Sequence, residues 1–439
     1  ATLVIDVFDD GTPSTLINDG TIINTGIYTN SGALVNNGTF TNNSIFDNSG
    51  TFSNPGTLSG INTSHTQDFT NAGTLSPGNS PGTYTFNNNY SAQTTANLQI
   101  ELENATTFDI VTVTGTAAIN GTLEVTLLDN YSPIVGDTFT ILTAGNISGT
   151  FDTINLPAGY NWDVRYTATE VILEIIPITL SPVVFLQGAL LSNGNSSVMR
   201  DDLRSLGYLP TTSPYTDGLT CDASVFNTGG TNGTGNTNND IVDWVWIELR
   251  DATDNTLVID GQSALLQRDG DVVSIDGISV VSFNQASGNY YLAIKHRNHL
   301  AVMTTNTITL NRTATTINFT ESTTPITFGT NAQATIADTP NVLALWAGNA
   351  NGDTIVQYSG TSPDTPSILS NVLNDAGNFL NFPTYSVSGY NTNDIDMNGS
   401  TQYSGTTPDT PFILQNVLAH PGNFLNFSTY PIEEQLPEN

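Results

Sequence analysis

Cysteine is almost absent. Cys221 stands alone in 439 residues, so no internal disulfide can form, and stability rests on packing, sheet ladders or metal. No His/Asn/Asp set is placed around it, so it reads as a passive thiol and not as a nucleophile. Basic residues are scarce too: Lys and Arg total 8 against 40 Asp and Glu, a net charge of −32. That balance excludes non-specific binding to nucleic acid or to anionic membrane as a main role, and it suits binding of divalent cations. Charged residues are only 11% of the chain, so Asn, Thr, Ser and Gly supply the polar surface, a composition common outside cells. No long apolar run is present. The most apolar stretch, Val171–Leu191, is interrupted by Glu174, Pro177 and Pro182 and is too broken to span a bilayer, so membrane insertion is not expected. There is no signal peptide, and a start at Ala1 suits a mature secreted product. No G-x-S-x-G elbow, H-E-x-x-H, P-loop or C-x-x-C pair occurs, and the repeat region lacks the clustered acids and bases that glycan cleavage needs, so an enzyme is not expected.

What is there begins with a hexad repeat over Leu16–Gly60. Asparagine falls at Asn18, Asn24, Asn30, Asn36, Asn42, Asn48 and Asn54, with glycine two residues later in every unit but the one holding Ser44. A large apolar residue follows: Ile22, Tyr28, Leu34, Phe40, Phe46, Phe52, Leu58. A short strand and a tight turn fit a period of six, because glycine accepts positive φ and asparagine tolerates it. Disordered tracts do not place an apolar residue at every sixth position. The period predicts a β-solenoid with coils of about 18 residues, the apolar column inward and amide ladders at the corners. Ala1–Phe8 reads as a strand apolar on both faces. It either folds back over the first coil or is donated to a neighbouring subunit, which would give a head-to-tail homopolymer.

From Tyr84 to Ile176 the strands lengthen, as expected of larger coils that continue and cap the solenoid, with a small separate sandwich as the competing reading. The first domain is thus 1–177. Residues 183–320 read as an antiparallel β-sandwich, with strands at Ile241–Arg250, Ala264–Gln267, Asp271–Ile275, Ile278–Phe283 and Tyr290–Lys295 and a short helix at Met199–Leu206. Asp269-Gly-Asp271 reads as a hairpin turn. All basic residues but Arg165 lie between Arg200 and Arg312, and residues 313–439 carry acid but no Lys or Arg, which suggests a separate module with its own task, its tandem repeats at 341–439.

That module is a tandem duplication: Asn349–Tyr385 recurs as Asp394–Tyr430. Each copy predicts one helix, N-capped by Thr365 or Thr410 before a proline and stopped by Gly377 or Gly422. The preceding loops follow the EF-hand order of oxygen ligands, in which alternate residues of a curled loop point at one centre. In the second copy these are Asp394, Asp396, Asn398 and Gln402, with Gly399 at the sixth position; in the first they are Asn349, Asn351, Asp353 and Gln357, with Thr354 in place of glycine. Gly360 and Gly405 stand where the usual closing acid belongs, and Asp364 and Asp409, at the helix starts, are the candidates to close each site. The expected ion is Ca2+, and an acidic turn with an N-cap is the competing reading. A second cluster, His296-Arg-Asn-His299, reads as hydrogen-bonded or surface residues, since on a strand the two histidines would face opposite ways.

Residues 14–176, with Leu75-Ser-Pro-Gly-Asn-Ser-Pro-Gly82, resemble the β-helical stalks of haemagglutinin-like adhesins. Residues 183–439 resemble the C-terminal half of secreted haemagglutinin-like, adhesin-like surface proteins of Bacteroidota, on Ile241-Val-Asp-Trp-Val-Trp-Ile-Glu-Leu-Arg-Asp251, on Gly288–Leu300 and on the loops beside Tyr358 and Tyr403. The last module also resembles dockerins, whose paired loops bind calcium. The resemblance implies a secreted, extracellular or cell-surface protein without enzymatic activity. The fold expected is mainly β: a solenoid, an antiparallel sandwich and a small α-containing dockerin-like tandem repeat. The function expected is a self-associating subunit of a surface filament or matrix, or alternatively a monomeric rod-like adhesin binding surface glycans or other cells.

Overall fold

The computed structural model describes residues 3–5, 14–190, 198–229, 237–337 and 341–437. The chain is mainly β and divides into two compact units, 1–177 with 284–286, and 178–283 with 287–439.

In the first unit each hexad forms one four-residue strand, and pairing is parallel with the strand third along the chain. β1 (Leu3–Ile5) pairs with Ile27–Asn30, β2 (Thr15–Asn18) with Ala33–Asn36, and β3 (Thr21–Asn24) with Thr39–Asn42. Three ladders result, two of them joined through the long strand Ile110–Ile119. The Asn column is buried and bonded along the ladders. Asn18 Nδ2 donates to Asn36 Oδ1 at 2.7 Å, 18 residues on, and Asn36 to Asn54 at 2.6 Å. A second donation from the same amide satisfies a strand carbonyl, as from Asn18 to Thr39 O at 2.9 Å. Pairing of the N–H groups and the oxygen offsets the cost of burying these amides; the Asn30 side-chain oxygen is an exception, buried without a partner. Glycine is required where successive turns touch: a Cβ on Gly38 would lie 2.0 Å from the carbonyl oxygen of Gly20. The apolar column is sealed, with Leu34, Phe40, Phe46 and Leu58 at 0–1% exposure, and ring centroids 5.1 Å apart for Phe40–Phe46. Parallel pairing continues through the longer strands Asn97–Asn104 and Thr122–Leu127. It then changes: Glu170–Ile175 adds antiparallel to Thr138–Gly149, and Trp162–Tyr166 adds antiparallel to Glu170–Ile175.

The phase slip after Gly60 puts His65 into this core. It is fully buried among Phe46, Phe52, Phe69 and Phe86, with centroids 5.3–6.0 Å away, and neither ring nitrogen has a hydrogen-bond partner.

In the second unit an antiparallel sheet runs Val272–Val273, Val258–Gln267, Ile241–Asp251, Gly288–His296, His299–Met303. A three-stranded sheet of Val281–Phe283, Ile178–Val183 and Thr315–Asn318 includes one parallel pair. One core joins both, from Leu180 and Ile317 to Trp244 and Ile294. The strand expected from Ile278 starts at Val281, because Asp276 Oδ1 accepts the N–H groups of Ile278 and Ser279 and turns the chain. The expected short helix is α1 (Asp202–Ser205). The turn at Asp269–Asp271 is formed, with Gly270 at φ +96°. Among the described residues no helix is long and apolar enough to cross a membrane.

The tandem repeat belongs to this second unit. Its helices, α2 (Thr365–Asn374) and α3 (Thr410–Ala419), bury Ile368, Val372, Ile413 and Val417; Leu369, Leu373, Leu414 and Leu418, expected on the same faces, are only partly covered. The two copies exchange tails. Gln357 Nε2 donates to Thr429 O at 2.7 Å, and Gln402 Nε2 to Thr384 O at 2.9 Å. Met397 lies in the main core of the unit, and Leu300 and Trp346 lie in the core of the repeat, so the repeat and the sheet domain are packed together.

Candidate metal centre

The second loop alternates oxygen and apolar side chains. Ile395 and Met397 are buried, and that anchoring turns Asp394, Asp396 and Asn398 the other way. The curl uses positive φ at Met397 (+59°) and Gly399 (+84°). Met397 takes a conformation unusual for a long side chain, and the burial of its side chain offsets that strain. Asp394 receives N–H groups of Asn398 at 3.1 Å and Gly399 at 2.8 Å.

Asp409 was expected to close this loop, and it lies there. One carboxylate oxygen from each of Asp394, Asp396 and Asp409 lies within 4.8 Å of the other two. The helix N-cap is Asp409 itself and not Thr410, and in the first copy Asp364 and not Thr365; neither aspartate caps with its side chain. Proline at the second helical position leaves the threonine inside the helix, where Thr410 Oγ1 donates to Tyr403 O at 2.8 Å. The aspartate side chain is then free to reach back. Asp409 accepts N–H groups of Ile395 at 2.7 Å and Gln402 at 2.8 Å, tying both ends of the loop to the helix. A carboxylate offers about four lone-pair directions, so each oxygen of Asp409 retains acceptor capacity.

Three findings fit a cation here. The oxygen spacing is that of carboxylates around an ion bound at about 2.3–2.6 Å. The Asn398 side-chain oxygen is buried without a hydrogen-bond partner. Burial, with the charge of Asp396 adding, pushes the Asp394 carboxyl up to about 7 against the pull of Arg297, and burial with the charges of Asp394 and Asp396 pushes that of Asp409 up to about 8. Carboxylates so placed hold protons at neutral pH unless a cation replaces them.

The first loop differs. Asn349 bonds to its own loop, accepting Gly352 N–H at 3.0 Å and donating to Asp353 O. Asn351 and Asp353 bond to each other, Nδ2 to Oδ2 at 2.9 Å, and Asp353 also accepts from Ser362. Asp364 is buried and accepts N–H groups of Ala350, Asn351 and Gln357 at 2.8, 3.3 and 2.8 Å; burial raises its carboxyl to about 7. Thr354 does not take the positive φ that Gly399 takes. Amides fill this loop from within, and among the described residues the only acidic cluster near enough for an ion is that of the second loop. The side chains of Gln357 and Gln402 turn to the tail exchange and to Ser362 and Thr407, and their backbone N–H groups serve the helix aspartates.

Sequence reasoning missed the residues that hold the loop from a distance. Arg200 donates to the backbone oxygen of Asp396 at 3.2 Å and to its carboxylate at 3.3 Å. Asn298 donates from Nδ2 to Asp394 O at 2.7 Å, while its own carbonyl accepts Gly348 and Asn349, so one residue holds the start of both loops. Gly188 admits the Ile395 carbonyl, which a Cβ would meet at 2.0 Å. The expected placement of the histidines is corrected. The strand ends at His296 and the next begins at His299, so a two-residue turn makes them a cross-strand pair on one face, ring nitrogens 2.9 Å apart. They are buried beside Asp243, which His296 meets at 3.1 Å and Arg297 at 2.9 Å; burial pushes the Asp243 carboxyl up, but these partners outweigh it and hold it at about 2. Arg297 stacks 4.5 Å over Tyr390 and donates to Asn391 O, joining this network to the loop. The only signal in the sequence was the polar run Lys295–His299.

Comparison of the chain with protein-family models finds no match, and comparison with curated proteins finds none.

Proposed function

We propose that the chain is an extracellular structural protein that associates with its own copies into a surface filament or matrix. In this reading residues 1–177 are a β-solenoid, residues 183–320 an antiparallel sandwich, and residues 341–439 a dockerin-like repeat stabilised by calcium. The composition and the resemblance to secreted haemagglutinin-like proteins of Bacteroidota support secretion.

The observation that carries self-association is the open end of the ladders. Among the described residues β1, β2 and β3 each have one paired neighbour only. Leu16 and Ile22, which begin the apolar column, are half-covered where later members are sealed. Unpaired edges over an incompletely covered core recruit further strands. Residues 3–5 pair with their own chain; the rest of the strand expected at 1–8 lies outside the described residues. Calcium is the ion of choice because the donors are all hard oxygens and no nitrogen or sulfur is offered.

Electron microscopy of the purified chain tests the reading. Ordered fibres in calcium are expected, and shorter or absent ones after deletion of residues 1–8. Discrete particles at every concentration would favour a monomeric adhesin instead.

A further inference from the structure

Each copy of the repeat ends its helix in the same turn, Gly-Asn-Phe-Leu-Asn-Phe, at Gly377–Phe382 and Gly422–Phe427. In both, the three large apolar side chains stand out in water. Phe379, Leu380 and Phe382 are 82%, 60% and 54% exposed, and Phe424, Leu425 and Phe427 are 82%, 58% and 55% exposed. The frame beneath is rigid. Buried Asn378 donates to Val372 O and Phe382 O, both at 2.8 Å, and accepts Phe382 N–H at 2.8 Å. Asn423 repeats these bonds at 2.8, 2.9 and 2.9 Å, and Asn381 and Asn426 take the same left-handed turn, φ +51° and +53°. A locked turn cannot fold its apolar side chains away, and two such knuckles in one chain mark a contact surface.

The second unit also carries a concave surface. A cleft of about 440 Å³ opens between Thr304–Ile308 and Thr316–Ile326. Its floor is Ile308, Ile317 and Ile326, which rest on the core of the unit, and its rim is threonine and asparagine with Glu321 as the only acid. That volume has room for a phenylalanine side chain with a neighbouring leucine.

We propose that a knuckle of one copy docks its phenylalanine in this cleft of a second copy. The proposal rests on the self-association reading and adds a contact separate from the ladder edges. Charge selects the occupant. Residues 376–393 and 421–432 hold no charged side chain, although the chain carries −32. Knuckle and cleft are therefore nearly neutral islands, where two copies meet without placing like charges together. Knuckle and cleft are different surfaces, so the contact does not close on itself and propagates. Screening by salt should strengthen it, since only the repulsive background is electrostatic.

The test is photo-crosslinking of the full chain with benzoylphenylalanine in place of Phe379 or Phe424, using equal parts of isotope-labelled and unlabelled copies. Mixed-isotope crosslinks to residues 304–326 are expected, increased between 0.05 and 0.5 M salt (roughly a threefold fall in Debye length). Thr316→Trp, a change at an exposed residue that fills the cleft, should abolish them while circular dichroism stays unchanged. Crosslinks elsewhere, or none while fibres still form in the microscope, overturn the docking and leave self-association standing. Neither crosslinks nor fibres under any condition overturn both.

Discussion

His65 makes the core of the first unit sensitive to pH. It sits in a phenylalanine cage with both nitrogens orphaned, and burial lowers its pKa to about 4. The unfolded chain binds a proton at about 6.5, so the folded state loses stability as pH falls from there toward 4, by roughly 3 kcal/mol. His65→Phe should raise the melting temperature at pH 7, by removing unsatisfied nitrogens, and raise it further at pH 4.5. An equal gain at both pH values would mean that the histidine is not the titrating group. The acids of the candidate metal centre run the other way. Asp394 and Asp409 titrate higher in the folded chain, at about 7 and 8, than the ordinary carboxyl range. Without a cation their contribution is full below pH about 4 and is lost as pH rises through 7 to 8. With calcium the loss is reversed, so the melting difference between calcium and chelator should widen across that window. Asp394→Ala should remove the difference at every pH.

At the scale of elements, the hexad strand has an inside and an outside that a pair of substitutions separates. Phe40 is fully buried, whereas its neighbour Thr41 points outward and meets Ser59 Oγ at 3.0 Å. Phe40→Asp should cost about 4 kcal/mol or more and unfold the unit, and Thr41→Asp should be mild. Denaturant midpoints measure both. The amide ladder gives a second contrast. Asn36 accepts from Asn18 and donates to Asn54 and Thr57, while the adjacent Asn37 is bonded at the surface to Asp19. Asn36→Ala should cost roughly 2–4 kcal/mol, since it strands buried partners in two rows, and Asn37→Ala should cost under about 1 kcal/mol.

For the whole molecule, two compact units predict two melting transitions, and the acidic centre lies in only one of them. If the acidic centre binds calcium as proposed, calcium at a hundred times its dissociation constant should stabilise that unit by about 2.7 kcal/mol. Chelator should therefore lower the transition of 178–439 and leave that of 1–177 unmoved, which calorimetry resolves. Movement of both together would mean that the centre is not where the ion acts.

The hexads were legible because a local rule repeats. Asparagine, glycine and an apolar residue at fixed spacing dictate strand, turn and inward face, and each row meets the same row again, as Asn18 meets Asn36. The helices of the repeat and Asp394, Asp396 and Asp409 were legible for the same reason, since spacing along one loop and one helix start places them. Tertiary structure alone decided the rest. Which of the two loops gathers acids depended on Ile395 and Met397 finding a core and on Gly188, Arg200 and Asn298 arriving from far along the chain. The histidines faced one another only because a turn fell between them, and His65 entered the core because the phase slipped by a residue count that no local preference fixes. Periodic contacts follow from short-range sequence; contacts between distant segments follow from which surfaces are left to bury.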